Sequence, residues 1–520
     1  MSEFFKDNYS VIIIGSALSG MASALELSNH GVDNILILEQ HNLPGGVATS
    51  FVRGGSEIEA SLHEMMSIGE NSKLSIGKFF KDNGIDIEWI RTPDAFRYID
   101  NETNVLIHSG FDGEMEKTAK EISSVVNDKD GKVYQETLRF LKMCLKVYEG
   151  MLYISEHKVS KAKILFKYPE VAQICGYTVK EVLDSFDIPQ KVKEVLSAYW
   201  IYLGNRIDEL PAMIYCYMIA DYFGYGAYIP RHTSHEMSLK MAEKCIERGV
   251  EIEYGKRVDK ILVKDKKVTG VKLKDGTIIN SKYVISGSYP NAVFTKMIEP
   301  EIEIPKDVRP FYSSKKLSLS CFSVALVLDE PPEKLNIKDY STFYAPDGMD
   351  FDLIMKDLKG LGPYRYITSI CTSLAYKENK KETLYSITAL PYSDGWLNVN
   401  EENYEEIKEK NARYFIELES KRLNVNLFEH IKEIVIETPV SVSHYTGAFR
   451  GLVYGYQHNM NDTILARMDV DDKKSFIHGL SFAGAHQSTG DGMGPAITNG
   501  RKAARDILSF MKIDNGGKRK

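Results

Sequence analysis

The sequence has little cysteine and no paired cysteine. Its six cysteines, Cys144, Cys175, Cys216, Cys245, Cys321 and Cys371, are far apart and form no C-x-x-C pair. That spacing argues against a structural zinc or an iron–sulfur cluster, so no metal site is expected. It suits isolated reduced thiols in a cytosolic protein. A basic excess is also missing. Lys and Arg total 65 against 72 Asp and Glu, a net charge of −7, which argues against general nucleic-acid binding. The 30 tyrosines are scattered and interleave with no basic stripe. The opening M-S-E-F-F-K-D-N-Y is too polar for a signal peptide, so a cytoplasmic location is expected. No internal repeat or low-complexity tract is present. One long apolar run, Pro211–Pro230, approaches bilayer length, but Asp221 sits at its centre and glycines break its second half. A buried helix lining an apolar cavity is expected there instead of a membrane span.

What is present begins almost at the N-terminus. The apolar run Val11–Ile14 reads as a buried parallel strand. A small-residue turn follows, Gly15-Ser16-Ala17-Leu18-Ser19-Gly20, then helix-forming residues up to about Gly31. A second apolar run, Ile35–Leu38, ends in Glu39, nineteen residues beyond Gly20. Strand, phosphate loop, helix, strand and acid make a dinucleotide-binding unit. Gly15 permits the sharp turn and Gly20 lets helix and strand approach closely. The helix N-terminus offers free N–H groups and a partial positive charge to a pyrophosphate. Glu39 is placed to accept hydrogen bonds from a ribose diol, which favours FAD or NAD over NADP. Gly45-Gly46 follows the acid and strengthens the reading.

With 520 residues, two or more lobes with ample core are expected. Residues after Gly46 read as a hairpin, Thr49–Val52 and Glu57–Glu59, turning at Arg53-Gly54-Gly55. A helix at Leu74–Asn83 and strands at Ile85–Ile90 and Asn104–His108 follow. Apolar spacing of three and four predicts helices at Glu114–Val126, Tyr134–Tyr153, Val179–Phe186 and Val192–Leu203. A helix Ser234–Arg248 leads into three alternating strands from Arg257, with turns at Asp265-Lys266 and Asp275-Gly276. Further strands are expected at Leu317–Leu328, Leu353–Met355, Tyr366–Cys371 and Thr383–Ala389, then a helix at Asn403–Arg422. The end of the chain brings a short strand, Ser481–Gly484, a glycine-rich loop and a last helix; the tail from Asn515 reads as disordered.

Several pieces together carry a resemblance. They are Ile12–Glu39, Gly45-Gly46, Tyr228–Pro230, the block from Arg257 through Gly276, Val284–Pro290, Thr438–Val440 with Gly451–Tyr454, and Phe482–Gly484 with Gly490–Met493. Spread in order over nearly the whole chain, they resemble the FAD-dependent amine oxidase and phytoene desaturase superfamily, nearest to its phytoene desaturases, carotenoid isomerases and retinol saturases. The resemblance implies an α/β fold, a Rossmann-like FAD-binding domain with an interleaved α+β substrate domain. The FAD-binding parts would be residues 1–108, 228–300 and 440–520. A helical, substrate- or membrane-facing insertion would span 109–227, and the substrate sheet and helix 301–439.

The resemblance also makes FAD the cofactor. It implies that Gly15, Ser16, Ala17, Gly20, Glu39, Gly45 and Gly46 hold it, with Val258 beside the adenine. It places Gly484 and the Gly490–Met493 loop, with Asp491, Gly492 and Met493, along the ribityl chain and flavin ring. Arg53 is a candidate for the pyrophosphate or else solvates its hairpin turn, and His486 is a further candidate on the cofactor side. No second G-x-G-x-x-G is present, so no dedicated nicotinamide domain is expected. Three positions depart from the family pattern: Ala17 in the fingerprint, Ala485-His486 after F-A-G, and Arg231-His232 in place of a glycine pair. His63, in the hairpin region that covers the flavin in such proteins, is a proton-transfer candidate, with Arg231 and His232 beside it. At least one of those two is expected to enter the cavity, where Arg231 would suit a carboxylate. Tyr445 and His444 are candidate lining residues.

The function expected is an FAD-dependent oxidoreductase acting on a long unsaturated hydrophobe: a carotenoid, retinoid or unsaturated fatty acid. Desaturation, saturation and isomerisation all stay open. The alternatives are an amine-oxidase-like dehydrogenase of a smaller polar substrate and a non-catalytic FAD-bearing lipid-binding protein. A hydrophobic small-molecule substrate implies a peripheral contact with the inner membrane face as its route of entry. The number of subunits is left open.

Overall fold

The computed structural model describes residues 5–516 apart from 62, 157–160, 377–380, 465, 468–475 and 488–489. Residues 517–520, the end of the tail read as disordered, lie outside the described residues. A five-stranded parallel sheet carries the dinucleotide unit. Its order is Leu480–Phe482, Val284–Ser286, Val11–Ile14, Ile35–Leu38, Glu251–Glu253. Val11–Ile14 and Ile35–Leu38 are buried on both faces, as parallel strands under helices must be. Helix Leu18–Asn29 packs on this sheet against the C-terminal helix Met493–Asp514. Glu26 receives hydrogen bonds from Arg501 and Arg505 across that contact. A four-stranded sheet lies beside it, formed by Ile278–Asn280, Lys267–Leu273, Val258–Lys264 and Ile298–Glu299.

The second lobe is built on a seven-stranded sheet. Its order is Ile431–Glu437, Phe322–Leu328, Thr383–Ala389, Ile367–Cys371, Ser341–Ala345, Phe96–Asp100, Asn104–Ile107. One hydrophobic core joins this sheet to the helices of residues 116–225. Trp200, Tyr199 and Phe343 lie at their junction, with Tyr199 and Phe343 meeting edge to face at 5.3 Å.

Phe96–Asp100 pairs in parallel with Ser341–Ala345, so the hairpin Phe96–Ile107 belongs to the seven-stranded sheet. Cross-strand hydrogen bonding to a distant segment decides this, and a local sequence pattern does not show it. Leu353–Met355, expected as a strand, lies in the helix Phe351–Lys359. Asp350 caps that helix, its carboxylate accepting from the Asp352 and Leu353 amides at 3.0 and 3.1 Å. The strand expected over Ile85–Ile90 is confined to Trp89–Arg91, paired with Tyr228–Pro230.

The apolar run at Pro211–Pro230 resolves into the helix Ala212–Tyr225 and the strand Tyr228–Pro230. Pro211 starts the helix, and Gly226 at φ +80° ends it. Asp221 is fully buried and accepts hydrogen bonds from the Ser67 amide at 3.1 Å and from its hydroxyl. Among the described residues no helix is long and apolar enough to cross a membrane.

Candidate functional site

A single cavity of about 1760 Å³ runs between the two lobes. That exceeds the volume of roughly 300–1,000 Å³ usual for one small ligand. Its walls divide by origin. One part is lined from the parallel sheet and its loops, by Gly15, Ala17, Glu39, Gly45, Gly46, Val258, Gly484, His486, Asp491, Gly492 and Met493. The other is lined from the loop His63–Met66, the helical layer and the seven-stranded sheet. Tyr202, Ile214, Met218, Tyr222, Ser323, Thr368, Thr388 and Leu390 belong to it.

The first part fits a dinucleotide. Gly15 turns at φ +97°, and its amide donates to the Leu38 carbonyl at 2.9 Å. A Cβ on Gly20 would stand 2.1 Å from the Gly15 carbonyl oxygen, so only glycine lets the helix start this close to the strand. The helix has no side-chain cap and no acid in its first turn, leaving its amides and positive dipole end for an anion. The C-terminal helix likewise starts uncapped at Gly492, with no acid in its first turn. Glu39 is buried at the strand end. One oxygen accepts from the Ser16 amide and hydroxyl at 2.7 and 2.9 Å, the other from the His41 amide at 2.8 Å. Two carboxylate oxygens offer about four acceptor positions, so room remains for a ribose diol. Ser16 does not line the cavity itself; its carbonyl accepts from the Gly45 amide at 3.0 Å and ties the two glycine turns together.

Further along, Asp491 accepts from the Gly455 amide at 2.8 Å through one oxygen. The other oxygen faces His458, with Nε2 at 3.5 Å, both side chains fully buried. Burial drives the His458 imidazole toward its neutral form. The His486 ring stands against Tyr289 with centroids 5.0 Å apart, and burial holds its pKa down at about 3.

Three expected site residues lie elsewhere. Arg53 is exposed on its hairpin, its guanidinium donating to the Val52 carbonyl, and is absent from the cavity wall. Arg231 pairs with Glu88 on the outer side of the Trp89–Tyr228 ribbon. His232 is exposed at the start of helix Thr233–Glu247. Neither lines the cavity, which corrects the expectation that one would project into it. The ribbon pairs Pro230 with Trp89 and hands the Arg231 amide to the Glu88 carbonyl at 3.0 Å. That pairing fixes the chain's direction at this point. His63 does line the cavity, 3.5 Å from the Thr388 hydroxyl, with its pKa lowered by burial to about 4. His444 and Tyr445 line the exposed rim.

Sequence reasoning passed over the neighbour of His63. Glu64 lines the cavity, is only 8% exposed, and has neither carboxyl oxygen hydrogen-bonded among the described residues. Burial pushes its pKa up to about 8 and the Asp94 charge adds to the rise; the Tyr202 and Tyr199 phenols nearby pull the other way, neither reaching hydrogen-bond geometry. The loop is held from several sides. Met65 and Tyr228 exchange backbone hydrogen bonds of 2.8 and 2.9 Å, Tyr340 donates to the His63 carbonyl, and Asp221 holds Ser67. A lone carboxylate followed by Met65, Met66 and Ile68 was the signal available in the sequence. The second part of the cavity thus offers a mixed wall, apolar and aromatic side chains with the hydroxyls of Ser323, Thr368 and Thr388, and a neutral acid. None of its lining residues on the His63–Met66 loop, the helical layer or the seven-stranded sheet is a lysine or arginine. Among the described residues no group of three or more His, Cys, Asp or Glu is placed to hold a metal ion.

Comparison with known proteins agrees with this architecture. The chain is 23% identical over 468 residues to the chloroplastic prolycopene isomerase of Daucus carota, covering 86% of this chain and 72% of that one. It is 21% identical over 568 residues to the all-trans-retinol 13,14-reductase of Danio rerio, covering 99% and 90%. Among solved structures, wild-type putrescine oxidase bound to putrescine shares the fold with a TM-score of 0.63 at 13% identity, over 96% of this chain and 99% of that one. The pattern of the family described as flavin containing amine oxidoreductase matches residues 18–508. The chain belongs to this family of flavin-dependent oxidoreductases, and FAD is its cofactor.

Proposed function

We propose that this enzyme changes the C=C or C–C bonds of a long, uncharged, unsaturated hydrophobe of the carotenoid or retinoid kind. The observation that carries the reading is the continuity of one cavity from the dinucleotide cradle into a largely uncharged chamber, whose walls from the His63–Met66 loop, the helical layer and the seven-stranded sheet carry no lysine or arginine among the described residues. Arg450 on the rim is paired with the exposed Asp394. The flavin supplies the redox chemistry when bound. The chain's own residues bind and orient. The helical layer and sheet exclude water from the chamber, and the His63–Ser67 loop holds its polar groups at fixed positions. A buried chamber without a cation has nothing to neutralise a carboxylate, so an unsaturated fatty acid is disfavoured. The prolycopene and retinol relatives support the class of substrate.

The test is product analysis. Holoenzyme with oxidised and with chemically reduced flavin is incubated with cis and trans polyenes, and the products are separated by chromatography. The proposal expects a new isomer, or a product with one double bond more or fewer. Polyenes recovered unchanged under both conditions would overturn it.

A further inference from the structure

Two buried polar groups in the chamber wall bear on what kind of polar group a ligand there can carry; this rests on the reading of the chamber as a hydrophobe site. Glu64 is more than nine-tenths buried, lines the cavity, and keeps both oxygens without a hydrogen bond among the described residues. The Tyr202 hydroxyl, which also lines the cavity, is buried in the same condition. The charged and titratable groups around them are phenols and acids. Tyr199 and Tyr222 stack at 4.7 Å, Tyr202 lies 6.2 Å from Tyr222 by ring centroid, and Tyr340 and Tyr454 complete the ring set that feels Glu64. Asp94 stands behind, its carboxylate bound by the Tyr340 and Ser341 amides. His63, one residue away, is held neutral by burial. No lysine or arginine is among them.

A buried acid in such surroundings keeps its proton, and a neutral carboxyl both donates and accepts. Its complement is a group that is itself uncharged. An incoming carboxylate would bring a desolvated negative charge beside Asp94 with nothing to balance it. An ammonium would have to strip the Glu64 proton and leave a buried ion pair, whose desolvation cost its attraction seldom repays. We propose that Glu64 and Tyr202 form an end-group site for the uncharged hydroxyl or carbonyl oxygen of an otherwise apolar ligand. No bond is made or broken there; the site orients the ligand along the chamber.

The experiment uses FAD-loaded protein and one carbon skeleton with five endings: all-trans-retinol, its aldehyde, its carboxylate, its amine and the end-group-free hydrocarbon. Binding is read by tryptophan fluorescence at pH 7. The alcohol and aldehyde should bind at least tenfold more tightly than the other three. Glu64→Ala should bring both down to the hydrocarbon's affinity, and Tyr202→Phe should weaken them in the same direction. Glu64→Gln, a neutral isostere, should stay within about threefold of the native protein. FAD content and melting temperature are recorded for each variant, so that a folding defect is told apart from a lost contact. Infrared spectra at pH 7 should show the carbonyl stretch of a protonated acid that vanishes in Glu64→Gln. As pH rises through about 8, where Glu64 loses its proton, the aldehyde should lose its advantage because it needs a donor, while the alcohol keeps it. A carboxylate or amine bound as tightly as the alcohol overturns the inference, as does an alcohol no tighter than the hydrocarbon. If all five bind alike, only the end-group site is lost. If none binds, the hydrophobe reading of the chamber falls with it.

Discussion

Glu39 holds two jobs, and a substitution separates them. Its carboxylate faces the cavity and also satisfies the buried Ser16 amide and hydroxyl. Glu39→Ala should lower FAD affinity at least tenfold, since hydrogen bonds to a charged group contribute about 1.5–3 kcal/mol. It should also destabilise the FAD-free protein by about 1–3 kcal/mol, because the Ser16 amide is left buried without an acceptor. Titration calorimetry and denaturant unfolding read the two effects. Glu64 makes a prediction with a definite sign. Its folded pKa, about 8, lies above the ordinary 4.5. The folded state therefore holds a proton that the unfolded chain releases, and this contribution fades as pH rises from about 4.5 to 8. Glu64→Gln should remove that dependence. At pH 9 the variant should gain stability over the native protein, relative to pH 5, on the order of 2–4 kcal/mol. Equal changes in both proteins between the two pH values would contradict a buried neutral acid. At this scale the sequence was legible where backbone geometry demands a residue type, as at Gly15 with its positive φ and Gly20 with its close helix–strand contact. It was not legible at Arg231, whose direction depends on a ribbon partner well over a hundred residues away.

The elements that hold the cofactor touch through small residues. A Cβ on Gly500 of the C-terminal helix would lie 2.1 Å from the Ser19 carbonyl oxygen, and the Ser23 hydroxyl donates to the Gly500 carbonyl at 2.8 Å. Gly500→Val should push the two helices apart, costing roughly 1–3 kcal/mol by overpacking, and should reduce FAD retention on gel filtration. An unchanged melting temperature with full FAD content would show that the crossing tolerates bulk. Strands were legible where an apolar or β-branched run is bounded by turn residues: Val11–Ile14, Ile35–Leu38 and Thr383–Ala389 have the expected bounds. Leu353–Met355 was misread because three apolar residues carry no period, and the cap at Asp350 went unnoticed. Phe96–Asp100 and Ile431–Glu437 find their places through long-range pairing.

At the scale of the whole molecule, two lobes line one cavity, and the ligand proposed for it is insoluble in water. Phe166 is 96% exposed on the short helix Lys161–Lys167, with the exposed Lys163 and Lys167 beside it. An apolar side chain between cations suits the interface of an anionic membrane. The protein should float with liposomes containing anionic lipid at low salt, and Phe166→Asp should reduce the floated fraction severalfold. Flotation unchanged by the substitution would place the contact elsewhere. The flavin site is proposed to open onto a chamber for an uncharged polyene, on a scaffold shared with putrescine oxidase. The most direct measurement is a side-by-side anaerobic assay of the yellow holoenzyme with a polyene and with a primary diamine such as putrescine. Flavin absorbance and polyene products are followed together. The account predicts that the polyene is isomerised, saturated or desaturated while the diamine leaves the flavin oxidised. A flavin bleached by the diamine, with the polyene recovered intact, would contradict it.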